Sequence, residues 1–368
     1  MHLIFHSSSI PGRHMKLSVL VLCAVFIFTA ACGASAAPVT DSVPQPLVSL
    51  PEDEAPHDVI IEWWYFNGLL TDDRGQEYSY HYVTFQGAVS GTVVPHLLQA
   101  SLGDHTAGKH LTGEHVLLGV LDQTAAGIDV RVNGWEMNGD GEVYGLKFDL
   151  AEYSLDLNAV ATKPPVLHDS VGLVSLGPAG DTFYYTRPRL DVTGTVEIDG
   201  EQRPVTGSAW MDHQWGDIRS QDVGWDWISL QLDDGSDLMA VLVWDPSDRT
   251  PIATYGTLVS PDGSAWTQNA VSISSRETWT SPASGVTYPS GWTLTVPALD
   301  LKLELEPVLT DAEFAGSRFT PGAYWEGEVR ATGTHQGQSV GGRGFVELVG
   351  YDPRQPESSD ASGVLTSP

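Results

Sequence analysis

The sequence predicts an all-β protein made of two β domains in tandem, and three observations carry that prediction. From residue 57 to residue 352 the chain runs as short alternating apolar or aromatic segments broken by Gly, Asp and Asn, with no sustained helical period. A hairpin pattern recurs: Trp64-Tyr-Phe-Asn-Gly-Leu-Leu-Thr-Asp-Asp-Arg-Gly75, then Tyr78-Ser-Tyr-His-Tyr-Val83, is echoed by Trp227-Ile-Ser-Leu-Gln-Leu-Asp-Asp-Gly235, then Leu238-Met-Ala-Val-Leu-Val243. Roughly 300 ordered residues also exceed what one small sandwich or barrel needs. The echo places a boundary near residue 205.

Taken in order, the chain opens with two candidate starts, Met1 and Met15. Lys16 leads into an apolar run from Leu17 to Ala31 that ends at Cys32. That run is too short for a membrane span and reads as a secretion signal. Residues 1–32 are expected to be a signal of the lipoprotein type, because Thr29-Ala-Ala-Cys32 resembles a lipobox with Cys32 as the lipid attachment point. Ala34-Ser-Ala36 fits an ordinary cleavage site as well, and both readings export the protein to the bacterial cell envelope, periplasmic or outer-membrane. Residues 33–56, rich in Ala, Pro, Ser and acids, read as a flexible linker, and residues 353–368 as a disordered tail. The domains between are expected at 57–205 and 206–352.

Cys23 and Cys32 are the only cysteines, so the exported body would hold no internal disulfide and must rely on its core. The formal net charge is −29, and it becomes more negative when Arg13 and Lys16 leave with the signal. Nucleic acid and anionic membrane surfaces would be repelled by such a body. Strands are expected at Glu77 to Gln86, Leu146 to Leu157, Leu190 to Ile198, Leu238 to Trp244, Trp292 to Val296, Leu299 to Glu306 and Phe345 to Val349. The densest chemistry lies in Ser208-Ala-Trp-Met-Asp-His-Gln-Trp-Gly-Asp217 and Gly224-Trp-Asp-Trp-Ile-Ser-Leu-Gln-Leu-Asp-Asp-Gly235, which pack four Trp, one His and several carboxylates into two strand-like runs. Aromatic walls with a few ionisable groups among them suggest a lined cavity for a hydrophobic ligand.

The motifs Glu62-Trp-Trp-Tyr-Phe-Asn-Gly68, Tyr184-Tyr-Thr-Arg-Pro-Arg189, Trp210-Met-Asp-His-Gln-Trp-Gly216, Gly224-Trp-Asp-Trp227 and Tyr324-Trp-Glu-Gly327 resemble those of the AttH-like and carotenoid 1,2-hydratase (CrtC-type) proteins, over about residues 57 to 352. The resemblance implies two tandem lipocalin-like, calycin-like antiparallel β-barrels packed together, with a hydrophobic pocket between or within them. It also implies relatives that hydrate an isoprenoid double bond, template cycloadditions, or accompany ABC transporters. It narrows the ligand class and not the reaction.

Hydrating an unactivated alkene starts by protonating carbon, which needs a carboxylic acid kept neutral in a dry pocket and aromatic faces around the resulting cation. On a strand, His213 and Trp215 point one way and Asp212 and Gln214 the other. The expectation takes His213 and Trp215 as pocket-facing, in line with a His-x-Trp that the hydratases carry. The resemblance further implies a Tyr and an acid on a later strand; here Val241 and Val243 stand in those places, and only Asp245 beyond them could substitute. Candidate catalytic residues are therefore His213, Asp212 and Asp245, and candidate ligand walls are Trp64, Tyr82, Trp215, Trp225 and Trp227. Glu62 and Glu326 read as buried acids opposite Arg187, Arg189 or Arg343, closing the barrels as ion pairs.

Other chemistries lack their residues. There is no Walker loop, Gly-x-Gly-x-x-Gly or His-Glu-x-x-His. His105, His110 and His115 are spaced for neither a helix face nor a strand face, and Asn138-Gly-Asp-Gly141 is a hairpin turn without a calcium loop's later Glu. No cofactor and no metal is expected. The leading reading is a carrier that binds a lipid or isoprenoid in an aromatic cavity, serving an ABC-type export system and touching membrane only through its lipid anchor. The alternative is a hydratase, lyase, isomerase or cyclase acting on an isoprenoid or polyene by acid catalysis. An acid inside the cavity separates the second from the first; filled barrels without a cavity would point to a structural envelope protein.

Overall fold

The computed structural model describes residues 45–87, 93–123, 125–317, 319–320 and 322–353. The signal, Cys32, residues 33–44 of the linker and residues 354–368 lie outside them. Twelve strands form one antiparallel sheet: β1 (Ile61–Asp72), β2 (Glu77–Gly87), β3 (Val93–Asp104), β4 (Lys109–Val120), β5 (Ile128–Val132), β6 (Trp135–Gly139), β7 (Val143–Leu150), β8 (Tyr153–Ala161), β9 (Val166–Leu167), β10 (Leu173–Ser175), β11 (Asp181–Ile198) and β12 (Glu201–Gly216). Ten more form the second: β13 (Gly224–Leu232), β14 (Asp237–Trp244), β15 (Pro251–Val259), β16 (Ala265–Gln268), β17 (Ser272–Thr280), β18 (Thr287–Val296), β19 (Leu301–Pro307), β20 (Glu313–Phe314), β21 (Tyr324–His335) and β22 (Gln338–Val349).

The sequence echo is an echo of topology. The first sheet runs β4-β3-β2-β1-β12-β11-β8-β7-β6-β5 and the second β16-β15-β14-β13-β22-β21-β19-β18-β17, so in each the first strand pairs with the second and with the last. Each sheet curls, barrel-like, around its own core. Inside the first lie Trp64, Phe66, Tyr80, Tyr82, Phe148 and Leu155, and inside the second Ile228, Tyr288, Trp292, Leu294, Leu303 and Val346. Each fully buried aliphatic or aromatic side chain contributes about 1.5–3 kcal/mol of transfer free energy. Gly68 leaves room for one of them: a Cβ there would lie 2.3 Å from the Tyr80 ring.

Two boundaries differ from expectation. The change of sheet falls in the loop 217–223 and not near residue 205, because β12 completes the first sheet by pairing with both β1 and β11; the Asp199-Gly200 turn that precedes it, with φ of 52° and 83°, only joins β11 to β12. The run Leu146 to Leu157 is two strands, β7 and β8, joined at Ala151, whose positive φ of 52° no turn residue announces. The end of the expected linker is packed: Val48 joins the first core, and Glu54 is buried against Arg187. A carboxylate with a buried guanidinium partner holds that segment in place.

Strand alternation explains how the two sheets meet. On β1, Trp64 and Phe66 point into the first barrel, and Trp63 and Tyr65 point outward. An outward face would ordinarily be polar. Here Tyr65, Tyr184, Trp210, Trp227, Val241 and Phe345 form a third cluster drawn from both sheets. Asp237 of β14 ties the sheets together, with Lys163 Nζ and Arg189 Nη2 each 2.6 Å from its carboxylate. Glu77 of β2 reaches Arg343 of β22 at 2.5 Å and Arg330 of β21 at 2.9 Å. All described residues belong to one compact unit.

Candidate functional site

Between the outward faces lies a cavity of about 490 Å3, a size that suits a drug-sized ligand. Strand register arranges its walls in two facing rows. Gln99, Val83, Tyr65 and Asp212 are neighbours across β3, β2, β1 and β12, and Tyr255, Val241, Trp227, Glu347 and Glu326 are neighbours across β15, β14, β13, β22 and β21. Trp63, Phe85, Trp225 and the exposed Phe319 extend the apolar lining. The rows touch: Tyr65 donates to Glu326 Oε1 at 2.5 Å, and Trp227 Nε1 donates to the Tyr184 hydroxyl at 3.1 Å.

Three acids line this apolar space, and among the described residues none has an arginine or lysine partner. Burial pushes Asp212 up to about 6, against the hydrogen bonds that Thr186, Tyr184 and Trp210 donate to it. Burial, aided by the charge of Asp212, pushes Glu347 up to about 7 although Trp225 Nε1 donates to it at 2.9 Å. Glu326 lies well above the ordinary carboxylate range, first from burial and then from Glu347 across the strand pair. Desolvation favours the neutral form of an acid, and two facing carboxyls cannot both ionise cheaply. Around neutral pH the second-sheet wall therefore holds protonated carboxyl and the first-sheet wall an ionised Asp212. The same burial raises Tyr65 and Tyr184, which stay neutral phenols.

Of the expected residues, Asp212, Trp225 and Trp227 line the cavity. His213 and Trp215 do not; they point to the other side of β12, into the first barrel, so the orientation expected for this strand is reversed. Trp64 stacks on His213 at 4.6 Å, and Tyr82 packs on Trp135 and Phe148 inside the same barrel. Asp245 does not line the cavity: it caps a surface turn through Ser247, which holds it below the usual carboxylate range. Val241 and Val243 face the cavity as apolar wall.

The acids also find other partners than expected. Glu62 accepts from His57 Nδ1 and His213 Nε2, both at 2.7 Å, and from Gln86 Nε2 at 3.1 Å; burial would raise it, but these bonds hold it below the ordinary value. His213 Nδ1 continues the chain to Tyr185, whose hydroxyl donates to Glu54. Arg187 pairs with Glu54, Arg189 with Asp237, and Arg343 with Glu328 and Glu77. The donor atoms of His57, Glu62 and His213 lie within 4.8 Å of one another, as a metal would require. Both carboxylate oxygens are already saturated by hydrogen bonds, with His57 N–H at 2.7 Å completing the set, which accounts for the cluster as a buried polar network. His105, His110 and His115 do not converge: His115 packs edge-on to Trp135, and His105 reaches Glu328.

Sequence reasoning missed Glu347, Tyr65 and Tyr184, and misread Glu326. Their signal was present: Phe345-Val-Glu-Leu-Val349 sets one acid in the middle of an apolar strand, a placement that burial makes costly unless it is used.

Comparison with known proteins agrees with this architecture. An AttH protein from Nitrosomonas europaea is 30% identical, with a TM-score of 0.74 over 84% of this chain and 98% of its own. Kievitone hydratase from Nectria haematococca shares the fold at 20% identity and a TM-score of 0.69, over 84% of this chain and 94% of its own. CghA, solved with Sch210972, shares it at 14% identity and a TM-score of 0.54, over 81% and 89%. No curated protein sequence matches the chain. The AttH-like family pattern matches residues 41–351, nearly the whole described chain, and this protein belongs to the AttH-like family.

Proposed function

We propose that this protein is an acid catalyst acting on an apolar, unsaturated small molecule, an isoprenoid or polyene, which it hydrates, isomerises or cyclises in the cavity between its two sheets. One observation carries the reading: three raised acids share a cavity with Trp225, Trp227 and Tyr65. A carrier for an apolar ligand gains nothing from buried acids, whereas protonating an alkene requires a neutral carboxyl in a dry pocket and aromatic faces beside the developing cation. Glu326 and Glu347 form the acid wall, and Asp212, held by Tyr184, Thr186 and Trp210, is the base that receives a proton from attacking water. His213 supports the first barrel. Kievitone hydratase, which shares the fold, is a hydratase by name and lends the reaction class some support.

The test is incubation with linear isoprenoid alcohols and prenylated phenols in isotopically labelled water, with products read by mass spectrometry. Label incorporation by the wild type, lost in Glu326→Gln and Glu347→Gln but kept in folded His213→Gln, is the expected result. Unaltered ligand bound equally by all three variants would leave a carrier. Export and lipidation at Cys32 are part of the same proposal, supported by the pattern from Lys16 to Cys32; acyl labelling that persists in Cys32→Ser would remove the anchor. Service to an export system rests on family resemblance, and co-purification of transporter components is its check.

A further inference from the structure

We propose that Glu326 is resupplied with protons from behind, through a water site on the side away from the cavity that Ser79 and His105 connect to the protein's rim. This rests on the acid-catalytic reading above.

Glu326 is a wall shared by two spaces. One is the main cavity; the other is a separate void of about 10 Å3 between the sheets, bordered also by Ser79, Ser101, His110 and Glu328. That is about the space of one water. The void is polar enough to hold one, because the Nε2 of half-buried His110 is shielded from solvent and has no partner among the described residues. Inward, the void borders Glu326 itself, and Ser101 and Glu326 Oε2 both face one nitrogen, His81 Nδ1, at 2.7 and 3.3 Å, so His81 positions the two groups and passes no proton between its nitrogens. Outward, the Ser79 hydroxyl is 3.2 Å from His105 Nε2, which is itself 2.9 Å from Glu328 Oε2. His105 is 9% exposed, and its Nδ1 lies 4.0 Å from the half-buried Glu77, which is bound to Arg330 and Arg343. A single water in the void joins His105 and Ser79, at the rim, to Glu326.

The chemistry requires such a path. When the alkene π electrons take the Glu326 proton, a C–H bond forms, the carboxyl O–H breaks and a carboxylate is left in a dry wall beside Glu347. The water that then adds to the cation loses its proton to Asp212 on the opposite wall, so Glu326 is still unprotonated while the product fills the space between. A water in the void can accept a hydrogen bond from one hydroxyl and donate to the Glu326 carboxylate, while the unpartnered His110 Nε2 helps to hold it there. Burial keeps His81 well below the ordinary imidazole value and pushes His110 down to about 4.

The experiment follows exchange of the Glu326 proton. A protonated buried carboxyl gives an infrared carbonyl band that shifts when it takes up deuterium, and Glu326→Gln assigns the band by removing it. The protein is saturated with farnesol, loading being read from tryptophan fluorescence, and mixed with heavy water. The path predicts exchange in the loaded wild type and exchange slowed at least tenfold in His110→Leu with the band intact. Ala312→Val narrows the same void without touching a histidine and predicts the same slowing, so it decides the matter if His110→Leu does not fold. Unchanged exchange in these variants overturns the path and leaves the acid reading standing. A wild type without a band sensitive to Glu326→Gln overturns the acid reading, and the path with it.

Discussion

Replacing Glu347 by Gln should stabilise the protein at alkaline pH and leave its stability at acid pH unchanged. Glu347 is pushed up to about 7 from an ordinary glutamate value of 4.5. A folded-state value above the unfolded one means that the native state binds more protons between the two, so this group's contribution to stability falls as pH rises from 4.5 through 7 and is fully adverse above that. At about 1.36 kcal/mol per unit, the ionised side chain costs about 3 kcal/mol. Glutamine cannot ionise, yet keeps an oxygen for Trp225 Nε1, which donates to Glu347 at 2.9 Å. Urea unfolding should therefore show Glu347→Gln about 3 kcal/mol more stable than wild type near pH 8.5 and within about 0.5 kcal/mol of it near pH 4.5, with m unchanged. An equal shift at both pH values, or a loss at the higher one, would refute the claim that desolvation of a carboxylate is at work. Gaining stability while losing activity is the pattern expected where a site is kept under strain for function.

Other perturbations probe the frame around the cavity. Trp227→Ala empties a buried indole that packs on Tyr65 and Trp210 and should cost about 3–5 kcal/mol, whereas Trp225→Ala, half-buried at the wall, should cost clearly less; the order of the two in urea melts is the check. Glu62→Gln should cost most between pH 4.5 and 6.5. His57 is raised by Glu62 and Asp53 against burial, so its contribution is complete below 6.5 and is lost as pH rises through its raised value, while Glu62 is depressed and its contribution is complete above 4.5 and lost as pH falls through its lowered value. A cost of about 3 kcal/mol near pH 5.5 that shrinks toward pH 9 is expected from unfolding curves, and a pH-independent cost would remove the charge argument.

Much of the fold was legible in the sequence because alternation, turn residues and the repeated Asp-Asp hairpin are local signals. The side of each strand that carries the site was not legible, because β1, β12 and β13 are apolar on both faces. Trp64 and Trp63, or His213 and Asp212, are equally plausible as ligand-facing until it is known that a second sheet covers the outer surface. A shift of one residue exchanges the two faces completely, and that is how His213 and Trp215 were assigned to the cavity in place of Asp212 and Gln214. The partners of the acids were hidden for a different reason. Tyr65 and Glu326, or Lys163 and Asp237, meet across sheets and lie far apart in the chain, so no spacing rule connects them.

The placement of the acids makes the site a property of the contact between the sheets. A lipocalin-like barrel suggests a ligand in its lumen, but here the two interiors are filled with Trp, Tyr, Phe and Leu, and the cavity lies where the outward faces meet. Asp212 comes from one sheet and Glu326 and Glu347 from the other, and each is desolvated by the opposite wall. If the sheets parted, water would reach all three and their values would fall toward those of ordinary carboxyls. One clamp that opposes such parting is Asp237, buried between Lys163 and Arg189. Asp237→Asn leaves two cations against a neutral amide and should cost about 3–5 kcal/mol of stability by itself. It should also lower the titration of Glu347 from about 7 toward 4.5, although no atom of Asp237 lines the cavity. The carbonyl band of Glu347, assigned by its loss in Glu347→Gln and titrated by infrared spectroscopy, reads this directly. If Asp237→Asn is destabilised but Glu347 still titrates near 7, each sheet desolvates its own acids, and the contact between sheets shapes the cavity without tuning it.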